Sequence, residues 1–146
     1  MKNLRLLLAV ILVLPALALA AELPPVVGNM IMTARSEVNV IGMDDFRKIV
    51  DNPGGALILD VREESEYAAG HIPGTTHLPR GVVESGIWRL VGFPDEIDFG
   101  RPIYVQCVSG NRASLAAKTL KDLGFSNVTA VVMQLGEWRQ AGYPFE

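Results

Sequence analysis

The chain has 146 residues, a length that fits one domain, and 13 Lys and Arg against 16 Asp and Glu give a formal net charge of −3. A mildly acidic chain without basic clusters gives no reason to expect nucleic acid or an anionic membrane as a partner. Its single cysteine excludes an internal disulfide.

Residues 1–20 read as a leader. Lys2 and Arg5 form a basic start, Leu6 to Leu14 an apolar core, and Ala18-Leu19-Ala20 a small-residue cleavage signal. The apolar stretch from Leu6 to Ala21 covers 16 residues and is broken by Pro15. A membrane-spanning helix usually needs about 20. A cleaved export signal is therefore expected, which places the mature chain in the periplasm or outside the cell without stable membrane association. No cysteine stands beside the cleavage site, so a lipid-anchored cysteine is excluded. Cleavage removes two basic residues and no acidic ones, which moves the net charge from −3 to −5. The remainder is still long enough for a core of its own.

Residues 21–36 contain Pro24, Pro25 and Gly28 without a clear period, and read as a linker or a strap along the surface of a domain spanning 37–146. Met30-Ile31-Met32 is apolar enough to dock on that domain. Val38 to Ile41 has the character of a short strand, and Asp44 or Asp45 can cap a helix that runs to Val50. Asn52-Pro53-Gly54-Gly55 is a turn cluster. Ala56 to Val61 is a continuous apolar run, the pattern of a strand buried on both faces of a parallel sheet. Asp60 ends that strand, and Glu63 to Ala69 forms a short helix closed by Gly70. Asp60, Arg62 and His71 have the chemistry of a catalytic carboxylate, cation and imidazole. Buried charges need partners, however, and the favoured reading is a polar network that braces a neighbouring loop. Ile72-Pro73-Gly74 after His71 argues for a rigid turn.

Thr76 to Leu78 makes a brief third strand. Gly81 to Asp98 is a longer connection, weakly helical around 82–91, whose Trp88 and Phe93 are expected to pack down on the sheet. Arg80 and Arg89 are the nearest candidate cations outside the loop that follows. A fourth apolar run, Ile103-Tyr104-Val105-Gln106, ends in Cys107. After a small polar loop, a helical pattern begins at Arg112, with Ala113, Ala116, Ala117, Leu120 and Leu123 on one face and Gly124 at its stop. Val128 to Val132 supplies a fifth strand, and Glu137 to Gln140 a last short helix. Strands alternating with helices predict an α/β fold, a five-stranded, mainly parallel sheet with helices on both faces. In such sheets ligands bind beyond the carboxyl ends of the strands.

Cys107 stands where such a ligand would bind. A strand that feeds a helix through a tight loop aims backbone N–H groups, and the positive end of the helix dipole, at whatever the loop holds. With Arg112 beside it, the loop is expected to favour thiolate over thiol and to hold an anion against it. A buried core cysteine is the plainer alternative, because cysteine is among the most buried residue types. A free thiol in an oxidising compartment is a liability unless it is buried or used. The polar, glycine-containing loop favours use.

Cys107-Val108-Ser109-Gly110-Asn111-Arg112 resembles the active-site loop of the rhodanese family, Cys-x-x-Gly-x-Arg. Upstream, Asp60-Val61-Arg62, Glu66-Tyr67 and Gly70-His71-Ile72-Pro73-Gly74 are similar to that family's signature, in order and in distance. Trp138 with Ala141-Gly142-Tyr143-Pro144 resembles its C-terminal end. Where the family often has a Gly-Gly pair before this tryptophan, the chain has Met133 and Gln134. The resemblance covers about Val38 to the C-terminus.

That resemblance implies a rhodanese-like sheet of order 1-5-4-2-3 and transfer of sulfane sulfur through a Cys107 persulfide. The donor would be thiosulfate or a similar small anion, and the acceptor cyanide or a thiol, a protein thiol included. Cys107 would be catalytic, and Val108, Ser109, Gly110, Asn111 and Arg112 would bind donor and persulfide. Two alternatives stand beside it. One is a persulfide carrier with little free-thiosulfate turnover, because Val108 and Ser109 bring no positive charge. The other is a cysteine phosphatase or arsenate reductase of a related type, whose loops carry one more residue between Cys and Arg. No cofactor is expected, and His71, His77 and Cys107 lie at spacings unrelated to a metal site.

Overall fold

The computed structural model describes residues 23–146; the leader expected over 1–20 lies outside the described residues. Three apolar runs form the centre of a sheet: β2 (Leu57–Asp60), β4 (Ile103–Gln106) and β5 (Val128–Val131). Every residue of β2 and β5 is buried, as strands covered on both faces must be. The shorter β1 (Asn39–Ile41) and β3 (Thr76–His77) take the edges. The order is β1-β5-β4-β2-β3 with every pairing parallel, the arrangement the resemblance implied.

Among the described residues there are six α-helices: α1 (Pro25–Glu37), α2 (Met43–Asp51), α3 (Glu64–Ala68), α4 (Val83–Gly86), α5 (Asn111–Asp122) and α6 (Leu135–Gln140). On one face of the sheet Ala113, Ala116, Ala117 and Leu120 of α5 pack with Leu59, Val105 and Ala130, joined by Val83 and Ile87. On the other, Phe46 of α2 and Leu135 and Trp138 of α6 pack with Ile58 and Val131. Small alanines on α5 let that helix approach the sheet closely. Trp138 is fully buried, its Nε1–H donating to Pro144 O at 2.8 Å.

Several local expectations change. Within the segment read as a linker or strap, the chain from Pro25 is helical: the 13-residue α1 lies against α5, with Ile31 and Ala34 buried. Pro25 opens it at the one place where a missing N–H is harmless. Asp44 and Asp45 occupy the first turn of α2 and do not cap it; Gly42 holds the cap position. Trp88 does pack inward, against Phe125, whereas Phe93 is exposed. At the departure from the family pattern, no non-glycine residue has positive φ, and Gln134 lies in extended backbone at φ −97°. Met133 is buried in the cluster around Trp138, so this chain fills with a side chain what glycines would leave open.

Candidate active site

Asp60 pairs in register with Gln106, so the turn after β2 and the loop after β4 leave the sheet side by side at its carboxyl edge. Cys107 follows on the face covered by α5 and is only 2% exposed. The loop then doubles back through Gly110, whose φ of +87° favours glycine. A Cβ there would stand 2.8 Å from Val132 Cα and 2.9 Å from Val131 O, so β5 leaves no room for one. The Gly110 N–H donates to Cys107 Sγ at 3.2 Å. Gly110 O accepts from Ser114 Oγ at 2.6 Å and from Ser114 N at 2.9 Å, which fixes the first turn of α5. Val108 O accepts from Leu135 N at 2.8 Å, tying the loop to α6. Among the described residues, the N–H groups of Val108, Ser109, Asn111 and Arg112 find no protein acceptor. They are donors available to an anion.

Arg112 leaves the first turn of α5 toward α3. Its Nη1 and Nη2 donate to Glu66 Oε2 and Oε1 at 2.6 and 2.9 Å, and Glu63 Oε1 is 3.7 Å away. That hydrogen-bonded guanidinium holds the Glu66 carboxyl down at about 2, and Glu66 in turn raises Arg112 above its ordinary value. Glu63 and Glu66 also close a capping box at the start of α3.

Beneath α3 lies the buried pair of Asp60 and Arg62, with Nη2 to Oδ2 at 2.6 Å and Nε bridging both carboxylate oxygens. Arg62 also donates to Glu66 O at 3.1 Å and Gly70 O at 2.9 Å. The pair thus ties down the middle of α3, at the backbone of the residue whose side chain holds Arg112, and the turn that follows the helix. The expected bracing network is present for Asp60 and Arg62. His71 lies outside it: its ring stacks on Tyr67, 3.9 Å between centroids, and Nε2 is 3.4 Å from Glu146 Oε1. His77 stacks on Tyr67 as well, at 4.5 Å.

The six residues expected to form the site are contiguous, Cys107 to Gly110 in the loop and Asn111 and Arg112 in the first turn of α5, with Val108 exposed and Ser109, Asn111 and Arg112 half-buried. Arg80 and Arg89 do not join them. Arg80 pairs with Glu84 and Thr119, and Arg89 is exposed. Sequence reasoning did not anticipate Glu63 and Glu66 as partners of Arg112, nor Arg35 of α1. Arg35 Nε donates to Ser114 Oγ at 3.1 Å and Nη2 to Asn111 Oδ1 at 2.9 Å. The acidic first turn of α3 was a visible signal for the former; separations of 76 and 79 residues hid the latter. Among the described residues, no group of three His, Cys, Asp or Glu is placed to hold a metal.

The profile of the Rhodanese-like domain matches residues 43–141. The chain is 38% identical over 110 residues to the thiosulfate sulfurtransferase GlpE of Pseudomonas entomophila, covering 71% of this chain and 94% of that protein. YrkF of Bacillus subtilis, named as a sulfur carrier protein, is 38% identical over 103 residues, 70% of this chain and 52% of YrkF. The chain thus spans about half the length of that relative. Among solved structures, a Rhodopseudomonas palustris protein of unknown function, described as a possible tyrosine phosphatase, superposes with a TM-score of 0.69. It is 27% identical, with 82% of this chain and 93% of that one covered.

Proposed function

The chain belongs to the rhodanese-like family, and from that premise we propose that it is a sulfurtransferase working through a persulfide on Cys107. What carries this reading is one juxtaposition. A lone, almost fully buried sulfur accepts the Gly110 N–H at the foot of a loop whose other N–H groups are unpaired. A sulfur so enclosed meets only the tip of a small donor.

The Cys107 thiolate attacks the outer sulfur of thiosulfate or a similar donor. A bond forms between Sγ and that sulfur, the donor's own S–S bond breaks, and its electron pair leaves with sulfite. Cyanide or a thiolate then bonds to the outer sulfur of the persulfide, and the electron pair of the breaking S–S bond returns to Sγ. The loop's N–H groups stabilise the anionic sulfur in both steps, and Val108 to Arg112 bind donor and persulfide. Two half-reactions through one covalent intermediate require ping-pong kinetics.

Cys107→Ser is expected to abolish turnover with thiosulfate and cyanide while leaving the melting temperature near that of the parent. The intact mass of the parent should gain one sulfur atom with thiosulfate and lose it to cyanide within a turnover. Wild-type turnover by Cys107→Ser would end the covalent reading. The possible phosphatase among the similar structures makes an aryl phosphate the control substrate. A parent that hydrolyses it readily and ignores thiosulfate would reverse the assignment. Loading by thiosulfate followed by release to a protein thiol, with slow cyanide turnover, would identify a carrier.

The leader reading extends the proposal to compartment: residues 1–20 direct export and are cleaved after Ala20. The intact mass of protein recovered from the periplasm checks it, and a membrane-retained chain that still carries residues 1–20 would refute it.

A further inference from the structure

Arg112 does not bring an uncompensated positive charge to the sulfur loop. Glu66 accepts both of its terminal nitrogens, and Glu63 stands 3.7 Å away. At neutral pH, this side of the loop carries at least as much negative charge as positive. The other side is different. There Arg35, from the last turn of α1, reaches Ser114 and Asn111, and it forms no ion pair with any described residue.

The bonds beyond Arg35 lead to the loop. Arg35 Nε donates to Ser114 Oγ at 3.1 Å, and Ser114 Oγ donates to Gly110 O at 2.6 Å. Gly110 O and the Asn111 N–H belong to one trans peptide and therefore point in opposite directions. Fixing and polarising that carbonyl orients the Asn111 N–H and strengthens it as a donor, because hydrogen bonds in a chain reinforce one another. Arg35 Nη2 holds the Asn111 side chain itself, at 2.9 Å. Ser114 is fully buried, so little water competes for its hydroxyl.

We infer that Arg35 is a positioning residue for sulfur transfer: through Ser114 and Asn111 it sets the Gly110–Asn111 peptide and supplies the positive charge that Arg112, paired with Glu66, does not. This inference rests on the sulfurtransferase reading for its substrate, but not for its physical content. The helix α1 lies outside the matched family segment, 43–141, and becomes part of the active-site apparatus.

The test uses the full chain and four variants: Arg35→Met, Arg35→Lys, Ser114→Ala and the double variant Arg35→Met/Ser114→Ala. Two rates are compared, kcat/KM for thiosulfate with cyanide and the alkylation of Cys107 by iodoacetamide. Iodoacetamide is neutral, so its rate reports the sulfur and not the attraction of an anionic donor. Arg35→Met is expected to slow both rates by about three- to tenfold, the range for one charge and one buried hydrogen bond near a helix start. Arg35→Lys should recover part of the loss, since charge returns without the two-pronged geometry. Ser114→Ala should slow alkylation as well, and the loss in the double variant should fall short of the sum of the two single losses, because Arg35 and Ser114 share the route to the Gly110 carbonyl.

Unchanged alkylation in a folded Arg35→Met would overturn the inference. So would additive losses in the double variant. Should Arg35→Met fail to fold, Ser114→Ala and Arg35→Lys decide: unchanged alkylation in both would be equally fatal. A parent that alkylates normally but transfers no sulfur would refute the substrate reading and leave the Arg35 comparison intact.

Discussion

At the exit of the sulfur loop, Arg112 is engaged before any substrate arrives, because Glu66 takes both terminal guanidinium nitrogens. The pair has a pH signature. Glu66 titrates at about 2 in the folded chain against an ordinary value of 4.5, chiefly because of its hydrogen bonds from Arg112. A lowered folded value means that the contribution to stability is complete above pH 4.5 and disappears as pH falls through about 2. Glu66 is 33% exposed, so solvent screens the pair, and its worth at neutral pH is about 1 kcal/mol. Denaturant midpoints of Glu66→Gln and the parent should therefore differ at pH 7 and converge as pH falls from 4.5 towards about 2. A gap that persists unchanged at the acid end would show that Glu66 acts by packing rather than by charge. Asp60 and Arg62, by contrast, are buried, and either alone would be an uncompensated charge in the core.

A strand, a loop and a helix make the candidate site, and the loop length is expected to set its chemistry. Four residues separate Cys107 from Arg112, and Gly110 is pressed against β5 so closely that the loop has no slack. One residue inserted between Gly110 and Arg112 would widen the loop and carry Arg112 away from Glu66. Sulfur transfer should then fall by at least about tenfold, which is only about 1.4 kcal/mol of transition-state stabilisation. Assays with thiosulfate plus cyanide and with an aryl phosphate, parent against insertion variant, measure the change. Full sulfur transfer by the insertion variant would remove loop length as the determinant. Much at this scale was legible in the sequence, because β2, β4 and β5 are short apolar runs and α5 has a clean buried face. α1 was not, since two prolines and a glycine mark its start and only Ile31 and Ala34 of its residues are buried. It is held by α5, a partner that no local pattern announces. The same holds for side chains: Cys107 and Arg112 are near in sequence and could be read together, whereas Glu66 and Arg35 reach the loop from 46 or more residues away. Phe93 shows the opposite error, an aromatic that looks like core and faces solvent.

The molecule as a whole is acidic, and that bears on how an anion would reach a loop whose N–H groups are free to hold one. Residues 21–146 carry 11 basic and 16 acidic side chains, a net charge of −5. Glu63, Glu64 and Glu66 are grouped at the start of α3, beside Arg112. Thiosulfate is a dianion, so at a distance it meets repulsion, and it meets attraction only within reach of the loop N–H groups and the N-terminus of α5. Salt separates the two ranges. The screening length is about 30 Å at 0.01 M and about 8 Å at 0.15 M, so moderate salt removes the long-range repulsion and leaves the contacts in the loop. For the chain beginning at Ala21, kcat/KM for thiosulfate is expected to rise by about twofold between those concentrations. Alkylation of Cys107 by neutral iodoacetamide, measured in the same solutions, should stay flat and so exclude a change in the sulfur itself. A fall in kcat/KM with salt would mean that the positive potential of the loop extends past the acidic surface and governs approach. In that case Arg35→Met, which removes a positive charge beside the loop without touching α3, should flatten the fall.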